Sequence, residues 1–281
     1  MNTPVYRAAA AGPAAGLTAP MGARVARGAL AVFVAGALLV RAQTNPPSVA
    51  QAIELLQDIE TRFAGLQSLQ YQAERVATVN RQSQAERWQF AYRNPDCLRI
   101  DYQAPHARLV VINPDVLWEY VPAAGKALKT DLRSIAPAER QKRLMQVMAR
   151  VAVEGLHPGA VEPFRVRASK AFPDPADPAS WILDGLEPRF RLTLDPARKL
   201  MLNSELYDAK GQLTLRTEAS EVAQVSPGNW FPGLIRVSHL RDAESVSTET
   251  RLTLIKINQP IEDRQFEFTP PARVKVMLPE K

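Results

Sequence analysis

The fold of this 281-residue chain is decided by a stretch that begins Trp88-Gln89-Phe90-Ala91-Tyr92-Arg93-Asn94-Pro95. It continues through Leu98-Arg99-Ile100-Asp101-Tyr102 to Leu117-Trp118-Glu119-Tyr120-Val121-Pro122. Aromatic and aliphatic residues alternate with polar ones, and this period of two predicts antiparallel strands with one apolar face. Because the stretch carries no catalytic motif, the pattern favours a surface that holds an apolar molecule without reacting with it.

Turn signals recur along the rest of the chain. They include Asn113-Pro114-Asp115, Asp208 to Gly211 and Pro227-Gly228-Asn229. The short runs between them have the spacing of an antiparallel meander. Residues 172 to 180 are rich in proline, which predicts an exposed, stiff loop.

Two helices are predicted among these strands. Ser48 is a suitable N-cap for a helix of about twenty residues, whose apolar positions recur at three- and four-residue steps up to Leu66. A second helix is predicted from about Pro137 to Val153, with an apolar stripe that includes Leu144 and Met148. Methionine tolerates re-packing, so this helix is interpreted either as a lid over a cavity or as an ordinary core helix.

The N-terminus predicts a secretory signal peptide over residues 1 to 42. Arg24 and Arg27 precede the apolar run Gly28 to Val40, and small or aliphatic residues follow it at a cleavage site. That run is shorter than the roughly twenty residues that a transmembrane helix needs. An uncleaved anchor is the alternative that Arg41 leaves open. Residues 43 to 281 are then predicted to form one exported domain.

The net charge and the cysteine content argue against several properties of this protein. Removing residues 1 to 42 lowers the net charge from +6 to +2, because that segment holds four basic and no acidic residues. The high pI therefore gives no support to nucleic-acid binding. Cys97 is the only cysteine, so the chain has no internal disulfide. It lies far from the cleavage site, where a lipid-modified cysteine would have to be, so the chain itself is predicted not to be lipidated.

The sequence lacks the common catalytic and metal motifs. There is no Gly-x-Ser-x-Gly elbow, no His-Glu-x-x-His motif, no glycine-rich phosphate loop and no cysteine pair. His106, His157 and His239 are scattered, without a second metal ligand at a recognised spacing. The sequence therefore predicts a protein that is not an enzyme and that holds no cofactor and no metal.

The quoted stretch resembles the signature of the periplasmic outer-membrane lipoprotein carrier (LolA-like) family. In that family an arginine-proline turn, an aromatic strand, a proline, an aliphatic strand and a leucine-tryptophan-x-tyrosine-x-proline strand follow in the same order. The ending Phe266-Glu267-Phe268-Thr269-Pro270-Pro271 is similar to the family's carboxy-terminal strand. The resemblance implies an α+β fold, an incomplete antiparallel β-barrel of about eleven strands with helices covering the concave apolar face.

The resemblance also implies a function. It implies a periplasmic carrier that binds the acyl chains of lipoproteins in an apolar cavity and transports them from the inner to the outer membrane. Its implied partners are acylated lipoproteins or lipid, an inner-membrane lipoprotein-releasing transporter and an outer-membrane acceptor, and it is predicted to act as a monomer. Such cargo needs shielding, since each methylene removed from water contributes about 0.8 kcal/mol.

Two alternatives to a carrier stay open. A periplasmic regulator of the same fold would sense lipid or lipoprotein and act on a membrane partner. A structural or other lipid-binding envelope protein is the third possibility.

The lipid-binding cavity is predicted to be lined by side chains of the quoted strands and of the second helix. These are Trp88, Phe90, Leu98, Ile100, Tyr102, Val111, Leu117, Trp118, Tyr120, Leu144 and Met148. Alternation alone leaves open which member of each pair points inward. The resemblance further implies that Arg93 reaches the lid through hydrogen bonds and is needed for release. Asn94 separates Arg93 from Pro95, so the direction of Arg93 depends on the strand register.

Overall fold

The computed structural model describes residues 46–151, 162–241 and 244–278. These residues belong to one compact unit. The predicted signal peptide over residues 1 to 42 and its cleavage site lie outside the described residues, as does His157. Among the described residues, no helix combines the length and the apolar character that crossing a bilayer requires.

The described chain contains fourteen strands and three α-helices. The strands are β1 (Ser68–Val79), β2 (Gln82–Arg93), β3 (Cys97–Ala104), β4 (Arg108–Ile112), β5 (Val116–Val121), β6 (Lys126–Asp131), β7 (Ala168–Pro173), β8 (Trp181–Gly185), β9 (Phe190–Asp195), β10 (Leu200–Tyr207), β11 (Leu213–Ser226), β12 (Asn229–Arg241), β13 (Glu244–Ile257) and β14 (Lys275–Met277). The helices are α1 (Val49–Ala64), α2 (Pro137–Val151) and the short α3 (Glu162–Arg165), with 3-10 turns at Pro122–Ala124 and Asp263–Phe266.

All of these strands form one open sheet. Their order is β14-β6-β5-β4-β3-β2-β1-β13-β12-β11-β10-β9-β8-β7. Neighbouring strands are antiparallel except β14 and β6, which are parallel. Most neighbours are consecutive in sequence, but at the centre β1 pairs with β13, from Leu69 opposite Ile257 to Val79 opposite Val246. Since β7 and β14 end the sheet, the predicted α+β fold with an incomplete antiparallel barrel is confirmed.

The described sheet has fourteen strands where about eleven were expected by resemblance to this barrel type. One strand that the sequence analysis missed is β7, whose last residues Phe172 and Pro173 fall in the segment predicted to be a loop. A proline is tolerated there because β7 is an edge strand, where a missing N–H leaves no ladder bond unmade. The rest of that segment, up to Ser180, is irregular as predicted.

Helix α1 is positioned by its cap and by one apolar stripe. The Ser48 hydroxyl accepts a hydrogen bond from Gln51 N, and the Gln51 side chain accepts one from Ser48 N, which together form a capping box. The stripe consists of Ala52, Leu55, Leu56, Ile59 and Phe63, all buried. The predicted first helix is therefore confirmed, although it ends at Ala64.

The face of the sheet that α1 covers is called the inner face here. Helix α1 contacts β7, β8 and β10, and the main hydrophobic core fills the space between them. Phe190, Leu192 and Leu194 of β9 point into this core and are fully buried. Gly185 of β8 permits this packing, because a Cβ atom there would lie 2.0 Å from the Phe190 ring.

The opposite, outer face is polar over β8 to β11. Arg191 pairs with Asp184 at 2.8 Å, and Arg216 pairs with Glu205 at 2.8 Å. Glu205 also lies directly across from Arg191, so opposite charges alternate over four strands. The hydrogen bonds to Asp184 hold the pKa of Arg191 above its usual value. Such cross-strand pairs contribute about 0.2 to 1 kcal/mol each and favour one register.

The inner-face core of β9 can be tested with a pair of leucine variants. Leu192 is fully buried, so we expect Leu192→Ala to lower the free energy of unfolding by about 2 to 5 kcal/mol. Leu186, in the turn after β8, is 62% exposed, so Leu186→Ala is expected to change it by less than about 0.5 kcal/mol. Urea unfolding followed by circular dichroism measures both. Equal stability of the two variants would contradict this placement of β9.

Candidate functional site

The inner face of β1 to β3 gathers a group of aromatic side chains. The rings of Tyr71 and Phe90 stack with centroids 4.6 Å apart, and those of Trp88 and Tyr102 lie 6.1 Å apart. The strand register produces this group, because Trp88 is paired with Tyr102 and Phe90 with Ile100. All belong to or pack against the main core, so they form one continuous apolar surface.

Helix α2 packs against the same core. Leu144 is 1% exposed and belongs to the core, and the half-buried Val147 packs against it. Leu132 and Ile135, which precede the helix, make similar contacts. The predicted second helix is confirmed up to Val151. Residues 152 and 153 lie outside the described residues, as does the side chain of Met148.

The structure divides the predicted lining residues between the two faces. Those on the inner face are Trp88, Phe90, Leu98, Ile100, Tyr102, Leu117 and Leu144. Val111, Trp118 and Tyr120 instead point to the outer face. Val110 and Ile112 are the residues of β4 that face inward. The four residues from Leu109 to Ile112 are all apolar and buried, so they show no alternation that would mark either face.

A C-terminal segment, Ile261 to Val274, covers the outer face of β2 to β5. Phe266 is buried against Ala91 and Cys97, and Asn113 Nδ2 donates a hydrogen bond to the Phe266 carbonyl at 3.1 Å. Phe268 packs against Trp118 and Tyr120, with ring centroids 5.7 and 5.2 Å away. The ending that resembles a family strand is therefore a cover for the outer face, and the strand β14 follows it.

Arg93 lies on the outer face and binds this C-terminal segment. Its Nη1 donates to the Ile261 carbonyl at 2.9 Å and lies 2.7 Å from Asp263 Oδ1. Its guanidinium group lies 5.1 Å from the centre of the Phe266 ring. Hydrogen bonds to the Cys97 sulfur and to Asp263 raise the pKa of Arg93. The lid is not among these contacts, and a role of Arg93 in release stays a prediction.

The direction of Arg93 follows from the end of β2. Ser68 of β1 lies opposite Arg93, and Asn94 N donates to the Gln67 carbonyl at 2.9 Å. Pairing thus continues to Asn94, the residue that separates Arg93 from Pro95. Arg93 consequently falls on the same face as Ala91, away from Tyr92, which packs against the main core.

A pocket of about 370 Å³ opens at the margin of the inner face. Trp88 and Tyr102 line it, and it is called the Trp88 pocket here. Its other lining residues are Arg75, Glu86, His106, Ala107, Arg108 and Val121. Its volume is in the range of small-ligand sites, and its combination of aromatic and charged groups suits an amphiphile.

Two arginines stand over the aromatic rings of the Trp88 pocket. The Arg75 guanidinium carbon lies 4.9 Å from the centre of the Trp88 ring, and that of Arg108 lies 4.4 Å from the Tyr102 ring. Arg75 Nε also donates to Thr250 Oγ1 at 3.2 Å. Burial raises the pKa of the Tyr102 hydroxyl, although the charge of Arg108 opposes this effect. Tyr102 is therefore neutral at physiological pH.

Sequence reasoning missed both arginines, although a signal for one of them was present. Arg75 continues the alternation of Tyr71 and Ala73, so it shares their face. Arg108 is placed by its pairing with Tyr102, which the sequence does not reveal. Of the scattered histidines, the exposed His106 lies at the Trp88 pocket. No group of three metal-ligating side chains occurs in the part of the chain that the structure describes.

No protein-family model and no curated protein sequence matches this chain. Several solved structures are similar to it. A DUF1329 family protein from Desulfovibrio piger is 13% identical with a TM-score of 0.53, over 78% of this chain and 97% of that chain. A LolA superfamily protein from Nitrosomonas europaea is 11% identical with a TM-score of 0.48, over 79% of this chain and 98% of that chain.

The fold places this protein in the class of open antiparallel barrels with helices against the inner face. The Trp88 pocket lies at the margin of that face. The first of these similarities shows that the Desulfovibrio piger protein has the same fold. The incomplete antiparallel barrel that was predicted from the sequence is confirmed by the architecture, since the open sheet, the helix α1 and the meander order are all present.

The thiol of Cys97 should be unreactive in the folded protein. Cys97 is 4% exposed, and burial raises its pKa, so little thiolate is available to react. We expect an aromatic disulfide reagent at pH 8 to modify no thiol in the native protein and one thiol per chain in denaturant. Modification of the native protein within minutes would contradict the burial of Cys97.

The contact between Arg93 and the C-terminal segment should contribute to stability. Arg93→Leu removes a charged donor from the Ile261 carbonyl, so we expect it to lower the free energy of unfolding by about 1 to 3 kcal/mol. Asp263→Asn is the control, because Asp263 is 83% exposed and such ion pairs contribute about 0 to 1 kcal/mol. Denaturant unfolding compares the two. An effect of Arg93→Leu no larger than that of Asp263→Asn would argue against this role.

Proposed function

We propose that this protein is a periplasmic carrier that binds the acyl chains of lipoproteins and transports them from the inner to the outer membrane. One observation carries the proposal: the Trp88 pocket opens onto an apolar inner face that is continuous from Tyr102 to the core beneath α2. An acyl chain entering at Trp88 can follow that surface out of water. The fold shared with known open barrels supports the proposal without specifying the ligand.

The proposed entry of an acyl chain requires α2 to yield. The apolar side chains of the inner face form one core with Leu144 of α2, against which Val147 packs. An acyl chain that binds there must replace the contacts of these α2 side chains with contacts of its own methylene groups. The free energies of the two sets of contacts are nearly equal, because the helix side chains and the acyl chain both bury apolar area at about 25 cal/mol per Å². A balanced exchange suits a carrier, which has to release its cargo as well as bind it.

The proposal includes the location and the partners of the carrier. The signal peptide over residues 1 to 42 would direct the chain to the periplasm, where the mature domain acts as a monomer. An inner-membrane lipoprotein-releasing transporter would load it, and an outer-membrane acceptor would unload it. Binding without catalysis is proposed, with no cofactor and no metal.

A regulator of the same fold that senses lipid or lipoprotein is the alternative function. It would use the same pocket, so lipid binding alone does not separate the two. A transfer assay does: a carrier loaded with acylated lipoprotein delivers it to an acceptor protein, whereas a sensor keeps its ligand and changes its affinity for a membrane partner.

Two tyrosines on opposite faces of the sheet test where the acyl chains bind. Tyr102 lines the Trp88 pocket, so we expect Tyr102→Ala to weaken the binding of an apolar fluorescent probe by about three- to tenfold through lost apolar contact. Tyr120 is also half-buried but lies on the outer face against Phe268, so Tyr120→Ala is expected to bind the probe normally.

The wild-type protein supplies the reference for this comparison. Mass spectrometry of the purified mature protein should identify acylated molecules, and these should displace the probe. A wild type that binds neither probe nor acylated molecules would refute the carrier proposal. Equal loss of probe binding in both variants would show that the probe does not bind specifically at the Trp88 pocket.

A further inference from the structure

We propose that the Trp88 pocket selects amphiphiles with an anionic headgroup, a phosphate or a carboxylate, which the guanidinium groups of Arg75 and Arg108 bind at its rim. This inference rests on the proposed function, because the acyl chains of such an amphiphile would continue from the pocket along the inner face. It adds a polar recognition element to a site otherwise defined by its apolar surface.

The pairing of the arginines is the main argument. Arginines on the outer face have carboxylate partners, among them Arg87 with Glu74, Arg236 with Glu249 and Arg251 with Glu221. Among the residues that the structure describes, no carboxylate lies within ion-pair distance of Arg75 or Arg108. Two half-buried guanidinium groups without a carboxylate carry positive charge that an anionic ligand would neutralise.

The other groups at the rim leave this charge in excess. Glu86 lines the pocket and lies opposite Arg75 in the strand register, so it offsets part of the charge. His106, which also lines the pocket, is exposed. With two arginines and one glutamate, the rim has a net positive charge at neutral pH. A cationic headgroup is disfavoured by this balance.

The aromatic rings hold the two arginines in position. Each guanidinium group lies within 5 Å of a ring centre, the range of cation–π contacts. The hydrogen bond from Arg75 Nε to Thr250 fixes the plane of that group further and leaves its terminal nitrogens available. Preorganised guanidinium groups lose little entropy when they bind phosphate or carboxylate oxygens in a fork. The rings beneath them begin the apolar path for the attached chains.

The experiment compares two lipids that share their acyl chains and differ in the headgroup. The mature protein is incubated with vesicles of equal parts dioleoylphosphatidylglycerol and dioleoylphosphatidylcholine, re-isolated, and its bound lipids are quantified by mass spectrometry. We expect the anionic lipid to be enriched about tenfold or more, the ratio that one charge-assisted hydrogen bond can provide. Arg75→Gln with Arg108→Gln should abolish the enrichment, so that the two lipids are bound in equal proportion.

A matched double variant controls for surface charge. Arg87→Gln with Arg236→Gln removes two outer-face arginines that are exposed and ion-paired, so we expect it to keep the enrichment. Circular dichroism checks the fold of both double variants. The single variants Arg75→Gln and Arg108→Gln, each expected to lower the enrichment in part, keep the test valid if the pocket double variant does not fold.

The outcomes separate this inference from the proposed function. Equal binding of both lipids by the wild type, or enrichment that survives in the folded pocket variants, would overturn the inference and leave lipid binding intact. Absence of any bound lipid would overturn both. A further arm adds inorganic phosphate: displacement of the anionic lipid by it would show a free-phosphate site and overturn headgroup selection, whereas retention of the lipid supports it.

Discussion

The structure depends on one constraint: a single sheet presents an apolar inner face that water must not reach. The cover has two unlike parts. Helix α1 has a capping box and a full apolar stripe, and it closes the half formed by β7 to β10. Helix α2 adds Leu144 and Val147 to the main core, next to Leu132 and Ile135. The Trp88 pocket opens at the margin of this inner face.

The outer face differs from the inner face in what covers it: ion pairs on one part and the C-terminal segment on another. Over β8 to β11 it carries ion pairs that are compatible with water, whereas over β4 and β5 it is apolar and needs a second cover. The C-terminal segment supplies that cover through Phe266 and Phe268, and Arg93 fastens it to the end of β2. Residues Leu109 to Ile112 of β4 are consequently buried on both faces of the sheet.

Period and capping signals were enough to predict the antiparallel strands and both main helices, whereas the incomplete barrel was implied by the family resemblance. The prediction failed for Val111, because Leu109 to Ile112 of β4 are all apolar and buried and show no alternation. It failed for Trp118 and Tyr120, because the apolar face of β5 is turned to Phe268 on the outer face. It also missed the contact between Arg93 and the C-terminal segment, since that contact joins residues far apart in the chain and depends on the register at Asn94. The alternation along β1 could have placed Arg75 on the inner face, whereas the placement of Arg108 required knowledge of which strands are neighbours.

The pairing of β1 with β13 has a consequence for how the chain folds. These strands come from opposite ends of the domain, so the centre of the sheet closes only after nearly the whole chain is available. Long-range pairing of this kind is slow and places such domains among those that fold in milliseconds to seconds. Until β13 arrives, the twelve residues of β1 present an unpaired edge on which other chains could assemble. Protection of that edge during synthesis and delivery is therefore a requirement built into the topology.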